Sequence, residues 1–382
     1  MIHSSKCTSP RVSKGDTLES NISPLSALVY IFPLLVLTVS VSAQLGIQAI
    51  DVTGDSISKG FNAGSAFPCS NGDQENFNWL TSDTHGTSYC TAGSENVFSI
   101  LEQMECGAGA SLTAPQPNHA ASGATLVRDF MTQARSVNNY LSSQPTNRLA
   151  VVFLGHNDSC SGSIAKTNSS CSNGDLDPSN YCKTRPEAFE RELRRGLDIL
   201  MSIRSTRIGV IAPIRVSQLC NFGSKTNCQV GGSCQFLWGV VNICGSLTRD
   251  CSSVRIVDTY STMKTYNDIL KRVADEYAAI PEGGQSTITM VGGQIVGGGA
   301  KAPKTTIVYS AAPWFYKFSS AQISCCDCFH PSGLGQNTLA ALIKNGLTCS
   351  TASPCCKDSD EPLSDGKCTT VATSRGFYQG IF

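Results

Sequence analysis

The stretch Ile47-Gln48-Ala49-Ile50-Asp51-Val52, followed through Thr53 by Gly54-Asp55-Ser56-Ile57-Ser58-Lys59-Gly60, decides how this chain is read. The first six residues form a mostly apolar run that stops at a glycine, as a buried strand of a parallel sheet does. A serine at the carboxyl end of the first strand of an α/β sheet sits where such folds place their ligands. A small residue before it and a helix after it would expose the hydroxyl beside backbone N–H groups able to stabilise an oxyanion. The plainer alternative makes Ser56 the N-cap of the next helix.

Working outward, three more apolar runs read as buried strands: Leu149 to Leu154, Ile208 to Ala212 and Val254 to Val257. Helical patterns lie between them. They cover Ala121 to Leu141, Pro186 to Ile203 (apolar at Phe189, Leu193, Leu197 and Leu200), Met263 to Ala279 and Leu334 to Leu347. Strands alternating with helices predict an α/β fold, a three-layer α/β/α sandwich with a mostly parallel sheet. Residues 62–117, 158–184 and 217–253 are polar, rich in Gly, Ser and Cys, and poorly periodic, so they read as insertions. Ser286 to Val296 alternates about Gly292-Gly293 and predicts a β-hairpin with a two-residue turn.

Composition bounds the function. The chain has 382 residues with 29 basic and 29 acidic side chains, a balance that argues against a nucleic-acid partner. Leu25 to Ala43 is uncharged and mostly apolar, ends Val41-Ser42-Ala43, and follows Lys6, Arg11 and Lys14. It reads as a signal peptide cleaved before Gln44, or as an uncleaved anchor weakened by Pro33. Of the nineteen cysteines only Cys7 precedes that cut, leaving eighteen, an even number that suits disulfides in an oxidising compartment. Either reading of residues 1–43 exports the rest: secreted, or on a lumenal face. Asn168-Ser169-Ser170 is a glycosylation acceptor. Residues 44–347 form the expected domain, and 348–382 a Cys-rich tail.

A serine nucleophile needs a base. After residue 43 the histidines are His85, His119, His156 and His330. His330 lies in Asp327-Cys328-Phe329-His330-Pro331, where an Asp three residues earlier can accept the imidazole proton and fix its tautomer. The sequence Gly155-His156-Asn157-Asp158 follows the second strand directly, and an Asn there can donate to a developing oxyanion. Asn118-His119-Ala120-Ala121-Ser122-Gly123 offers a glycine N–H that a substrate could approach closely. Each block also has a bland reading, as a strand-end turn or a solvated loop.

Taken in order, Gly54-Asp55-Ser56, Gly123, Gly155-x-Asn157-Asp158 and Asp327-x-x-His330 resemble the four blocks of the SGNH/GDSL hydrolases, over residues 47 to about 346. The arrangement is also similar to the secreted phospholipase B-like branch. The resemblance implies Ser56 as nucleophile, His330 as general base and Asp327 as its orienter. It implies an oxyanion hole of the Ser56 and Gly123 N–H groups and the Asn157 side chain, with Asn118 opening the second block. It further implies an esterase or lipase working through an acyl-enzyme without metal or organic cofactor. The substrate would be an acyl lipid or phospholipid, with transient contact at a membrane surface, or alternatively an acetylated glycan.

Other readings compete. Cys325, Cys326, Cys328 and His330 could form a zinc cluster, and a non-catalytic secreted binding protein could keep the same fold. His156 replaces a commoner glycine and could line a pocket or face solvent. Asn157-Asp158-Ser159 is formally a sequon, expected to be unmodified. Trp314, Phe315, Tyr316 and Phe318 could wall an acyl site or pack on the core. Arg128 and Arg215 suit an anionic head group or a solvated surface.

Overall fold

The computed structural model describes residues 47–64, 69, 71–74, 77–80, 117–160, 170–171 and 183–348. Residues 1–43, read above as an export segment, the sequon at Asn168 and the tail beyond 348 lie outside them. Every element below belongs to the unit Ser42–Phe382.

In chain order the elements are β1 (Ala49–Gly54), α1 (Leu126–Ser142), β2 (Arg148–Phe153), the short pair β3 (Ser170–Cys171) and β4 (Lys183–Thr184), α2 (Pro186–Leu200), β5 (Thr206–Ile211), α3 (Cys234–Val241), α4 (Gly245–Thr248), α5 (Ser253–Ala278), β6 (Thr289–Val291), β7 (Gln294–Val296), β8 (Thr306–Ser310), α6 (Ala312–Phe315) and α7 (Gly333–Thr348). Four strands make the central sheet in the order β1-β2-β5-β8. All three pairings are parallel, with Gly54 opposite Phe153, Val152 opposite Val210 and Ile211 opposite Ser310. The four carboxyl ends therefore open on one edge, where the candidate blocks follow β1 and β2.

Both sheet faces are covered, which is why β2 reads as an unbroken apolar run. Leu149, Val151 and Phe153 point into one buried cluster with Leu339, Ala340, Ile343 and Leu347 of α7. Ala150 and Val152 point into the other, with Phe130 of α1, Leu193 of α2 and Val273 of α5. The expected three layers are present.

Some boundaries differ from the sequence reading. Val254 to Val257 is not a strand but the first turn of α5. Val254 and Val257 are 76% and 65% exposed, while the buried positions run Arg255, Thr259, Thr262, Met263 and Tyr266 at helical spacing. Burial of Arg255 is offset by its hydrogen bonds to the Gly245 and Ser246 carbonyls. The fourth sheet strand is β8, which the sequence reading passed over; its pattern is only partly buried. Helix α1 starts at Leu126 rather than Ala121, because Gly123 adopts φ +78° and Thr125 caps the helix, accepting from Arg128 N at 3.2 Å. The hairpin forms as expected, with Gly292 and Gly293 at φ +56° and +77°, the left-handed pair a tight hairpin turn requires. Within 217–253 the poor periodicity conceals α3 and α4, whose ends are fixed by disulfides.

Candidate active site

Ser56 follows β1, and the tightness of the β1 turn decides its exposure. A Cβ at Gly54 would lie 2.6 Å from Ser58 Cβ and 3.2 Å from Ala120 Cβ, so only glycine lets the chain close on itself here. The Gly54 peptide is clamped by Gln133 of α1: Gly54 N–H donates to Gln133 Oε1 at 2.8 Å, and Gln133 Nε2 donates to Gly54 O at 2.9 Å. Asn118 braces the same turn by donating from Nδ2 to Ser58 O at 2.7 Å.

His330 lies 274 residues downstream, yet its Nε2 is 2.7 Å from Ser56 Oγ, and its Nδ1 is 2.7 Å from Asp327 Oδ2. A carboxylate only accepts, so Nδ1 carries the ring proton and Nε2 accepts the Ser56 hydroxyl. This chain of hydrogen bonds can take the proton from Ser56 Oγ and keep the resulting imidazolium beside a negative charge. Burial alone would push the Asp327 carboxyl up. The His330 charge and ring hydrogen bond, together with the His330 and Phe329 backbone N–H groups, outweigh burial and hold it below the usual carboxylate range.

The two other sequence-predicted residues arrive at the same place. Ser56, Gly123, Asn157 and His330 line one cavity of about 350 Å³, walled by Phe61, Val241, Ile243 and Phe329. Asn157 donates one side-chain N–H to Ala124 O at 3.0 Å, which fixes the plane of its amide. The structure thus brings together all five residues singled out in the sequence: Ser56, Gly123, Asn157, Asp327 and His330.

The model of the family described as GDSL-like Lipase/Acylhydrolase matches residues 52–343. The chain belongs to that family. Membership carries an ester-hydrolysing activity in general. No curated protein matches the chain. One solved crystal structure aligns with 78% of this chain and 96% of its own, at 12% identity and a TM-score of 0.38.

In this GDSL-type hydrolase the loop bearing Asp327 and His330 is held by three disulfides: Cys69–Cys326, Cys228–Cys325 and Cys234–Cys328. The zinc reading of Cys325, Cys326 and Cys328 is therefore corrected, because oxidised cysteines have no thiolate to offer a metal. Among the described residues no group of three His, Cys, Asp or Glu side chains could hold a metal ion. Two further disulfides, Cys160–Cys244 and Cys220–Cys251, fix the segments around α3 and α4. The same loop receives Asn62 Nδ2 on Asp327 Oδ2 at 2.7 Å and Trp238 Nε1 on Asp327 O at 3.1 Å.

Asp158 is wholly buried beneath the site. It accepts from Leu126 N at 2.8 Å and from the Thr184 hydroxyl at 2.9 Å. Burial pushes its carboxyl up to about 6 despite those donors, with the Asp55 charge adding to the rise. None of Trp314, Phe315, Tyr316 and Phe318 lines the cavity: Trp314 and Phe318 belong to the core, with Phe315 and Tyr316 against it. Arg128 pairs with Asp129 and donates to Gly123 O, while Arg215 lies 5.9 Å from the Trp314 ring centre. Sequence reasoning missed Asn62, Gln133 and the wall residues Phe61, Val241, Ile243 and Phe329.

Proposed function

We propose that this chain is an exported serine hydrolase that cleaves carboxylic esters of acyl lipids through an acyl-enzyme on Ser56. The observation that carries this reading is the unbroken hydrogen-bond chain Ser56–His330–Asp327 opening into the cavity. Ser56 Oγ attacks the carbonyl carbon as its proton passes to His330 Nε2. The carbonyl electron pair moves onto oxygen, which the Ser56 and Gly123 N–H groups and the second Asn157 N–H stabilise. Collapse expels the alcohol, which takes the proton from His330. A water then gives a proton to His330 and attacks the acyl carbon, Ser56 Oγ recovers the proton, and the acid leaves. No cofactor takes part in these steps.

Support for a lipid acyl group comes from the walls of the cavity. Phe61, Ile243 and Phe329 offer apolar contact with no charge among them. Val241 both lines the cavity and is exposed, and Phe236 and Val240, one turn apart on α3, are 61% and 67% exposed. Positions 226–248 contain no charged residue, which suits a transient approach to a lipid surface. The eighteen cysteines after residue 43 and the apolar segment before it support export.

A fluorophosphonate probe should label the wild-type protein and spare Ser56→Ala. Equal labelling of both would remove Ser56 from the mechanism. Purified protein should hydrolyse phospholipid and acylglycerol esters in preference to acetylated glycans; the reverse preference would move the substrate to the carbohydrate acetylesters.

A further inference from the structure

Among the described residues three histidines pair with aspartates at 2.7 Å: His119 with Asp51, His156 with Asp55 and His330 with Asp327. His330 belongs to the hydrogen-bond chain at Ser56, and the His119 side chain is 32% exposed at the edge of the fold. His156 differs from both. It is 1% exposed, sits edge-on to the Phe153 ring, and uses both ring nitrogens inside the protein. Ile214 N–H donates to its Nε2 at 2.9 Å. That nitrogen therefore carries no proton, and the proton on Nδ1 is donated to Asp55 Oδ2.

Each partner lies in a different loop at the carboxyl edge of the sheet. Asp55 follows β1 and immediately precedes Ser56. His156 follows β2 and immediately precedes Asn157. Ile214 follows β5. The second Asp55 oxygen, Oδ1, accepts from Ile57 N at 3.0 Å, so one carboxylate holds the backbone on the far side of Ser56 as well. On the other side of the ring, the His156 carbonyl accepts from Ser159 Oγ at 2.7 Å and Ser159 N at 3.2 Å, closing the turn that carries Asn157. One flat ring thus joins the backbone of Ser56 to that of Asn157 and anchors both to the loop after β5. The position requires a donor and an acceptor on opposite edges of a rigid, uncharged group of this size, and among side chains only a neutral imidazole supplies both.

We propose that His156 is a positioning residue: through Asp55 it sets the Ser56 backbone in register with the Asn157 amide, so that the two meet on one carbonyl oxygen. This rests on the acyl-enzyme reading above. It predicts a loss in turnover rather than in substrate affinity, because the register matters most when the oxyanion forms.

The test uses the full chain with a soluble p-nitrophenyl ester, each turnover number being divided by the sites titrated to completion with a fluorophosphonate. His156→Phe keeps a flat aromatic ring and removes both hydrogen bonds; it should lower kcat per titrated site about 10²-fold with KM within about twofold. His156→Gln can accept from Ile214 N–H but does not reach Asp55, and should lose about as much. His156→Asn can donate to Asp55 and should keep kcat within about fivefold. This contrast between Asn and Gln decides the question even where His156→Phe does not fold. Wild-type kcat per site in His156→Gln, or a loss confined to KM or to the number of titratable sites, would overturn the proposal. Long-range 1H–15N correlation should show His156 protonated at Nδ1 alone; an Nε2–H tautomer would also overturn it. If Ser56→Ala, with His156 intact, is still labelled or still turns over, the Ser56 reading fails first and takes the positioning role with it.

Discussion

Asn62 donates its side-chain amide to Asp327 Oδ2, the oxygen that also receives the His330 ring proton, at 2.7 Å in both cases. The segment that begins at Ser56 therefore reaches back, six residues on, to hold the acid of the Asp–His pair. Asn62 sits at φ +53°, so glycine is the substitution that removes the side chain without backbone strain. Asn62→Gly should lower kcat about tenfold and stability by about 1.5–3 kcal/mol, the range for a hydrogen bond to a charged group. Steady-state kinetics and urea unfolding measure the two. Unchanged kcat would mean that the two backbone N–H groups on Asp327 Oδ1 hold the carboxylate without help.

The five disulfides among the described residues should separate by function. Replacing both Cys234 and Cys328 with alanine frees one side of the Asp327 loop and should abolish most esterase activity, at a cost of about 2–5 kcal/mol. The Cys220–Cys251 pair touches neither Asp327 nor Ser56, and its double alanine variant should lose stability while keeping kcat. Dithiothreitol should inactivate the wild type and a chelator should not. Inactivation by the chelator, with stoichiometric zinc in the protein, would contradict the disulfides drawn through Cys325, Cys326 and Cys328.

Asn157→Ala removes the proposed oxyanion donor and should lower kcat about 10²–10³-fold with little change in Tm. Peptide mass spectrometry should find Asn157 without a glycan, because its amide is committed to Ala124 O and Ser159 is 2% exposed. Full turnover in Asn157→Ala would leave the oxyanion to backbone donors alone.

Two buried carboxyls should give pH dependences of opposite sign. Asp158 is raised to about 6, so between the ordinary carboxylate value and pH 6 the folded protein keeps a proton that the unfolded chain has released. Stability should fall as pH rises through that window, by about 3 kcal/mol at 1.36 kcal/mol per unit. Asp327 is lowered, so its contribution is present above the ordinary carboxylate range and is lost as pH falls through its depressed value. Urea titrations from pH 4 to 7 should show the Asp158 slope in the wild type and its absence in Asp158→Asn. An identical slope in both proteins would assign it to another group.

The candidate catalytic blocks were legible in the sequence because each lies at a strand end or in a tight turn whose residue types are restricted by the backbone. Gly54 has no room for a Cβ, and Asp327 has to cap the turn that ends in His330. The layers were legible because β2 is buried on both faces. The strand assignment failed at Val254 to Val257, where two exposed valines on a helix imitate a buried run. It failed again at β8, whose outer positions are too exposed to stand out. The supports Asn62 and Gln133 were invisible, since a hydrogen bond spanning 265 or 79 residues leaves no local pattern. His156 was visible as a departure, but its burial could be known only once β5 was seen to bring Ile214 against it.

The Cys69–Cys326 bond spans 257 residues. At roughly 5–20 residues per second, a ribosome needs on the order of 10–50 s to make the second cysteine after the first. Throughout that interval Cys69, and later Cys228 and Cys234, exist as thiols whose native partners have yet to be synthesised, alongside other cysteines free to capture them. Where an early cysteine has already been captured, native pairing is reached by thiolate exchange, which takes seconds to hours depending on oxidant and isomerase. Recovery of active protein should consequently be governed by the host's disulfide isomerase capacity more than by the stability of the core. Mispaired chains would be expected to carry a folded sheet with Ser56 in place and no base opposite it.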